Sequence, residues 1–363
     1  MELNVNKLNF TVGPVMMAES IRYIGAQEIP YFRTRDFSKL MLENECIMRK
    51  LLKAGDSTRL ITLTGSGTAA MEASVMNTLS SKDKVLVVNG GGFGERFSKL
   101  CQIHRIPYEE LLLEMGHGIT EKDLMPYEKK GFTAFVVNRH ETSTGVLYNM
   151  DLISDFCKRN HCFLVVDAIS SFIADPLKMQ EWGINVVITG SQKAYALPPG
   201  ISLVALDEIA IKRVNENVVQ SMYFNFQDYL ENGERGQTPF TPAVGIIIQL
   251  NQRLCDLERI GIENETKRIA DLANDFRNKV KGLPLRIASD SLSNAVTPLY
   301  VREEKDAHKI FEYLEEHYGI WVCPNGGEWS KRVFRVGHIG NITIEDNGKL
   351  IKALQDMYKK GML

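Results

Sequence analysis

Short apolar runs, each ending in a polar or glycine-rich loop, alternate with helical stretches through the first two thirds of the chain. Six runs are predicted strands, at residues 59–63, 84–88, 134–137, 163–166, 186–189 and 202–206. Their continuous apolar character indicates burial on both faces, as in a sheet covered by helices. The alternation therefore predicts an α/β fold with a mostly parallel sheet, in which ligands bind beyond the carboxyl ends of the strands.

The pattern changes after about residue 243. Long helices are predicted at 244–260 and 264–280, followed by shorter strands and helices up to a last helix at 344–359. A chain of 363 residues is long enough for one large and one smaller domain. We therefore predict a large α/β domain over 15–243 and a smaller α+β domain made of 1–14 and 244–363.

Charge and hydropathy favour small-molecule partners. A formal net charge of -2 gives no sign of a nucleic-acid partner or a membrane surface. No window approaches 18 consecutive apolar residues, and the first ten residues lack the layout of a signal peptide. Six scattered cysteines without a C-x-x-C pair indicate reduced thiols and no metal site. We therefore expect a cytoplasmic protein without a nucleic-acid or membrane partner.

A lysine and an aspartate follow two successive predicted strands. Lys193 comes just after the strand at 186–189, and Asp167 ends the preceding strand, 26 residues earlier. A lysine can form a Schiff base with the aldehyde of pyridoxal phosphate (PLP), and an acid can pair with its pyridinium nitrogen. A lysine after a strand is more often a solvated loop residue, so this pair needs further support.

Three other loops supply that support. The turn GSGT at 65–68 precedes a helix and suits a phosphate, although Ser66 or Thr68 could simply cap the helix. Phe93 could cover a flat cofactor or could be an ordinary core residue. The hydroxyls at 142–144 follow another strand, where they could also form a serine/threonine turn. Because the carboxyl ends of parallel strands meet at one edge, the five loops together predict a single cofactor site.

The ordered motifs resemble those of the class V aminotransferases, PLP enzymes of fold type I. They run from FTVGPV through LTGSGTAAMEA, NGGGFGERF, HETSTGVL, VDAISSF, GSQKAYALPPG and FTP to FRVGHIG, over nearly the whole length. The resemblance is nearest to 2-aminoethylphosphonate–pyruvate and alanine/serine–glyoxylate transaminases. It implies the PLP-dependent transferase fold, with a seven-stranded sheet in the large domain, and a homodimer with shared active sites.

The resemblance also implies roles for individual residues. Lys193 would be the Schiff-base lysine and proton shuttle, and Asp167 would keep the pyridine nitrogen protonated. The other cofactor contacts would be Ser66, Gly67, Thr68 and Gln192 at the phosphate, Phe93 and Ile169 on the two ring faces, Thr142 near the ring 3-hydroxyl, and Thr241 at the phosphate of the neighbouring subunit. His140 and His338 would serve in packing or hydrogen bonding, since Lys193 fills the role of general base.

Substrate contacts are expected from Arg335, Gly13 and Arg33. A guanidinium is a planar fork suited to carboxylates and phosphonates, although Arg335 could instead pair with a surface acid. Gly13, beside Pro14, would bring backbone close to the substrate. Arg33 lies in PYFRTRDF, which resembles the corresponding segment of glyoxylate and aspartate transaminases more than that of the phosphonate branch.

The resemblance implies a ping-pong amino transfer from a small amine, with 2-aminoethylphosphonate the first choice, to a keto acid such as pyruvate. The alternative is alanine, serine or aspartate with glyoxylate. Cysteine desulfuration would need a mobile catalytic cysteine, and no cysteine lies in a matching loop. A non-enzymatic regulator of this fold would be expected to have lost Lys193 or Asp167, and both are present.

Overall fold

A computed structural model describes residues 7–363 of the chain. The strands are β1 (Leu8–Phe10), β2 (Arg59–Thr64), β3 (Val85–Asn89), β4 (Tyr108–Leu112), β5 (Ala134–Asn138), β6 (His140–Glu141), β7 (Val146–Leu147), β8 (Phe163–Asp167), β9 (Val186–Gly190), β10 (Ile201–Leu206), β11 (Arg286–Ile287), β12 (Val296–Tyr300), β13 (Ile320–Pro324) and β14 (Val333–Gly337). The α-helices are α1 (Glu19–Gly25), α2 (Arg35–Leu51), α3 (Gly67–Thr78), α4 (Gly92–Ile103), α5 (Glu121–Leu124), α6 (Met150–Asn160), α7 (Glu208–Glu216), α8 (Phe226–Gly233), α9 (Val244–Ile260), α10 (Ile262–Val280), α11 (Ala307–Tyr318) and α12 (Ile344–Lys359).

The larger sheet has seven strands in the order β2-β10-β9-β8-β5-β3-β4. Neighbouring strands from β9 to β4 are parallel, and only β10 runs against its two neighbours. The structure thus confirms the α/β fold and the mostly parallel seven-stranded sheet. Because β10 is antiparallel to both β2 and β9, β2 points the same way as β9. The carboxyl ends of β2, β3, β5, β8 and β9 therefore lie at one edge of the sheet.

Helices cover both faces of this sheet. Successive residues of β8 alternate between two apolar clusters: Leu164 and Val166 pack with α2, α6 and α9, whereas Val165 packs with α3, α4 and α7. Both faces of the strand are therefore dry, which explains its unbroken apolar sequence. The strand ends thus lie between two packed layers, which position the loops that follow them.

The second sheet has five strands in the order β1-β13-β14-β12-β11. Its apolar core includes Phe276 of α10, Leu314 of α11 and Leu354 of α12. Strand β1 enters this sheet beside β13, which places the N-terminal segment among the C-terminal strands. The division into 15–243 against 1–14 and 244–363 stays a prediction, and residues 1–6 of it lie outside the described residues.

Helix α9 packs against the seven-stranded sheet. It lies within the segment predicted to belong to the smaller domain, yet Ile247, Leu250 and Leu254 pack in the cluster beneath the seven-stranded sheet.

Within residues 7–363, no helix is both long enough and apolar enough to cross a membrane. The same range contains no group of three or more metal-ligating side chains suited to a metal ion.

Candidate active site

A cavity of about 230 Å³ lies at the edge where the five strand ends meet. It is lined by Ser66, Gly67, Thr68, Met71, Phe93, Arg96, His140, Thr142, Asp167, Ile169, Ser170, Gln192 and Lys193. All of the predicted cofactor contacts except Thr241 are in this lining. A larger groove of about 750 Å³ lies at the opposite edge, near the carboxyl ends of α3 and α4, away from Lys193 and Asp167.

Lys193 projects into the cavity from the loop after β9 and is only 9% exposed. Its Nζ donates a hydrogen bond of 2.7 Å to the carbonyl oxygen of Val12. Burial, together with the charge of Arg335, lowers the pKa of Lys193 to about 8, and Cys323 and Asp167 oppose part of that shift. A sizeable neutral fraction is therefore present near neutral pH, as a nucleophilic amine or a base requires.

Asp167 ends β8 on the floor of the same cavity and is 6% exposed. Its Oδ1 accepts a hydrogen bond of 2.7 Å from the backbone amide of Ile169. Burial raises the pKa of Asp167 to about 7, and the Ile169 amide partly opposes that rise. A cationic group that enters the cavity beside this carboxyl would hold it ionised.

The turn between β2 and α3 keeps its polar groups available. Ser66 is the N-cap residue of α3, but its side chain makes no capping hydrogen bond. A Cβ added to Gly67 would come within 2.3 Å of Ile169 Cδ1. The Ser66 capping alternative is therefore wrong, and Gly67 brings the start of the helix against the floor of the cavity, where backbone amides suit an anion.

Glu141 fixes the position of Phe93, although the sequence analysis did not single it out. Its Oε2 accepts hydrogen bonds from the backbone amides of Phe93 (3.1 Å) and Gly94 (3.0 Å) at the start of α4. Its Oε1 accepts from the amide (3.1 Å) and hydroxyl (2.5 Å) of Ser143. This fully buried carboxylate thus caps α4 and ties it to the loop that carries Thr142.

Two hydroxyls and an imidazole line the side of the cavity. Thr142 Oγ1 and Ser170 Oγ share a hydrogen bond of 2.7 Å. The His140 side chain is buried, and among the described residues neither of its ring nitrogens has a hydrogen-bond partner. Burial lowers the pKa of His140 to about 3, so the imidazole is neutral and can offer one donor and one acceptor.

Arg335 is held by the protein and does not pair with a surface acid, so that alternative is wrong. Its Nη1 donates to the carbonyl oxygen of Thr142 (2.8 Å), and its Nη2 donates to that of Pro324 (2.6 Å) and contacts Cys323 Sγ (3.1 Å). The side chain is 9% exposed, and its Nε has no acceptor within the described chain. Arg335 therefore lies beside the loop of Thr142, adjacent to the lining of the cavity.

Gly13 lies directly against the lysine. Its φ of +130° is unfavourable for residues with a side chain, and an added Cβ would be 2.8 Å from both Gln192 O and Lys193 Cδ. The N-terminal segment thus contacts Lys193 in two ways. The carbonyl oxygen of Val12 accepts a hydrogen bond from Nζ, and the backbone of Gly13 packs against the side chain of the lysine, where a Cβ would not fit. The glycine permits this close approach to Lys193, while the predicted approach of its backbone to the substrate stays a prediction.

We expect Gly13→Ala to lower the turnover rate by about 100-fold, since a shift of the lysine by about 1 Å has an effect of that size. The measurement is kcat together with the thermal midpoint. Gly348→Ala is the control, because no atom lies within 4 Å of the position of its Cβ. Unchanged kcat in Gly13→Ala would show that the segment does not position Lys193.

Arg33 and Thr241 lie outside the lining of the cavity in the same chain. The Arg33 guanidinium donates hydrogen bonds to Gln237 Oε1 (3.2 Å) and to the carbonyl oxygens of Thr238 (2.8 Å) and Pro239 (3.2 Å). Thr241 follows this segment and is exposed. Arg33 therefore holds the segment that presents Thr241, and the predicted substrate and cofactor contacts of these two residues stay predictions.

Comparisons with known proteins show relatives over nearly the whole chain. Residues 30–335 match the family described as aminotransferase class V. An uncharacterized aminotransferase from Helicobacter pylori strain J99 is 31% identical over 96% of this chain and 93% of that protein. The L-aspartate–glyoxylate aminotransferase of Paracoccus denitrificans is 27% identical, over 92% and 86%. The structure of an alanine–glyoxylate aminotransferase from Nostoc sp. shares the fold, with a TM-score of 0.91 and 21% identity over 99% and 98%.

Proposed function

Because this chain belongs to the class V aminotransferase family, we propose that its cavity transfers an amino group from a small amine to a keto acid in two half-reactions. The cofactor is PLP. The observation that carries the proposal is the pairing of Lys193 and Asp167 in one buried cavity. This chemistry requires a lysine with a neutral fraction, which the lowered pKa of Lys193 supplies, and a buried acid that a cationic ring nitrogen would hold ionised.

The residues present fit a phosphorylated pyridine. The turn at 65–68 offers helix-terminal amides and hydroxyls to an anion. The side-chain oxygen of Gln192 and both ring nitrogens of His140 are buried without partners in the described chain, so a polar ligand would satisfy them. Gly67 leaves space at Ile169 that any side chain would fill. Polar groups thus surround an opening between an anion-binding turn and a buried acid.

We propose that Ser66, Gly67, Thr68 and Gln192 hold the phosphate group, and that Phe93 and Ile169 pack on the two faces of the ring. Bound PLP supplies the electron sink for the electron pair left when the substrate carbon loses a proton. Asp167 would be ionised beside the ring nitrogen and so would favour the protonated form of the ring. Thr142, oriented by its hydrogen bond to Ser170, would contact the ring 3-hydroxyl.

Lys193 Nζ is the proposed attachment point and the base. Its lowered pKa leaves the amine nucleophilic, and with a substrate amine bound in its place the same nitrogen would take the proton from the substrate carbon. The carbonyl oxygen of Val12 accepts a hydrogen bond from Nζ and so directs the amine within the cavity. Arg335 would then orient the acidic group of the substrate with its remaining donor capacity.

Glyoxylate is the proposed amino acceptor, with aspartate, serine or alanine as donor. The names of two relatives support this choice: the L-aspartate–glyoxylate enzyme of Paracoccus denitrificans and the serine–glyoxylate enzyme of Hyphomicrobium methylovorum. The first prediction, 2-aminoethylphosphonate with pyruvate and a place in phosphonate metabolism, has no such support. It stays the alternative that the same experiment tests.

A half-reaction screen separates the two. The PLP form is mixed with L-aspartate, L-serine, L-alanine or 2-aminoethylphosphonate, and the absorbance of lysine-bound PLP is followed. We expect at least one amino acid to remove the band and glyoxylate to restore it, with D-serine as an inert control. Conversion by 2-aminoethylphosphonate alone, reversed by pyruvate, would replace the glyoxylate proposal. If no amine changed the band, amino transfer itself would be contradicted.

We also propose that two copies of the chain share their sites. Thr241 is exposed at the end of a segment held by Arg33, so it is free to reach a neighbouring subunit. Exposed apolar side chains at Tyr23, Ile29 and Tyr31 lie in the N-terminal stretch that leads to Arg33 and support a contact there. A cytoplasmic location also stays a prediction.

A further inference from the structure

Arg96 lies between Thr68, in the turn proposed to hold the phosphate, and Phe93, the residue proposed to pack on the ring. It is in the second turn of α4, three residues after Phe93, and it lines the cavity. Its Nη1 donates a hydrogen bond of 2.8 Å to Thr68 Oγ1, and its guanidinium carbon lies 4.7 Å from the centre of the Phe93 ring. Across residues 7–363 it forms no ion pair with a carboxylate, and its positive charge acts only at a distance on Asp167, which lines the same cavity.

The hydrogen bond to Thr68 has a fixed direction. A guanidinium can only donate, so Thr68 Oγ1 is the acceptor and its own hydrogen must point elsewhere. Among the described residues that hydrogen has no acceptor. Thr68 lies in the first turn of α3, on the cavity lining, so the free O–H is available to an anion there. Arg96 therefore sets the Thr68 hydroxyl as a donor.

We propose that Arg96 is a positioning residue for the phosphate of PLP, which directs the Thr68 hydroxyl toward that group and supplies a positive charge to its binding site. The other predicted phosphate contacts, Ser66, Gly67 and Gln192, are neutral. A phosphate carries close to two negative charges at neutral pH, and one nearby cation offsets part of them. This inference rests on the proposed function only for the identity of the cofactor.

The stacking of Arg96 on Phe93 suggests a competing explanation, in which the arginine merely holds the ring cover in place. The two roles differ in what they require of the ligand. A cation that acts at the phosphate matters only when the ligand carries a phosphate. A residue that holds Phe93 matters equally for a ligand that has the same ring without the phosphate.

Titration of the cofactor-free enzyme with PLP and with pyridoxal, which lacks the phosphate, tests the inference. For Arg96→Gln we expect the Kd for PLP to rise by about 30-fold, while the Kd for pyridoxal changes by less than about 3-fold. Arg96→Lys, which keeps the charge, is expected to recover part of the PLP affinity. Lys99→Gln, an exposed charge on the same helix, is the matched control and should bind both ligands like the wild type.

A double-mutant comparison tests the route through Thr68. In a Thr68→Val background, Arg96→Gln is expected to cost less PLP affinity than it does in the wild type, because part of its effect passes through the missing hydroxyl. An equal loss of PLP and pyridoxal affinity in Arg96→Gln would overturn the proposal in favour of the ring-cover role. Unchanged PLP affinity, or fully additive losses with Thr68→Val, would overturn it too. Failure of the wild type to bind PLP would instead contradict the cofactor, a distinct result.

Discussion

Lys193→Ala is expected to lower the amino-transfer rate by more than about 10⁴-fold, because one change removes both the attachment point and the base. The visible band of lysine-bound PLP should disappear. Borohydride treatment, which fixes the cofactor to its lysine, should label the peptide of Lys193 in the wild type and leave the variant unlabelled. Both results follow from the position of Nζ, which lies in the cavity with a pKa lowered to about 8.

Lys212→Ala is the matched control, since this exposed lysine of α7 pairs with Glu216, its one ion-pair partner among residues 7–363, and lies on a helix outside the site. It should keep the full rate and the full label. A small added amine, such as methylamine, is expected to restore part of the lost rate in Lys193→Ala by taking over the proton transfer. If Lys193→Ala kept the band or a label on another lysine, Lys193 would not be the attachment point.

The buried strands were predictable because both of their faces are apolar. For β5 and β8 the predicted and observed bounds differ by one residue, since a strand without a solvent face has no polar position to blur its pattern. Strand β4 was not predicted. It is one of the two edge strands of the sheet, and Tyr108 and Leu112 are exposed in the sequence YEELL, so its pattern is that of a polar connection.

Two helix starts lay further upstream than the sequence indicated, and glycine explains the difference. From helix-forming residues alone the sequence predicts helices that start at Ala69 and Glu95, but α3 begins at Gly67 and α4 at Gly92. Glycine is a poor helix former, but here it lets backbone approach a neighbour: a Cβ on Gly94 would lie 2.5 Å from the carbonyl oxygen of Val88. Those close approaches depend on tertiary packing, which a propensity cannot report.

The residues of the candidate site also fall into two groups, those fixed by the sheet and those that depend on tertiary contacts. The residues at strand ends, Lys193 and Asp167 among them, were predictable because the sheet fixes where its carboxyl ends lie. Glu141 and Arg96 were missed, since their contribution depends on the direction of a side chain across to another loop. The only advance signal for Arg96 was its position three residues after Phe93, on the same side of a helix.

Asp167→Asn is expected to lower the amino-transfer rate on the order of 10³-fold, since the ring nitrogen loses the charge that keeps it protonated. The fold should persist, because the amide oxygen can still accept the hydrogen bond from Ile169 N. Asp155→Asn, at an exposed position of α6, is the control and should keep its rate. A variant with more than about a tenth of the wild-type rate would remove Asp167 from the mechanism.

The same substitution should have the opposite effect on the stability of the cofactor-free protein. Burial raises the pKa of Asp167 to about 7, above its value in the unfolded chain, so stability present at low pH is lost as the pH rises toward 7. The Asp167→Asn variant has no such loss. A shift of one pKa unit corresponds to about 1.4 kcal/mol, so by pH 7.5 the free energy of unfolding of the variant should have risen by a few kcal/mol relative to that of the wild type. PLP should reverse the order, because a protonated ring stabilises only the carboxylate. Thermal unfolding from pH 5 to 8, with and without PLP, measures both effects. If, without PLP, the difference in stability between the variant and the wild type were the same at pH 5 and at pH 8, the raised pKa of Asp167 would be contradicted.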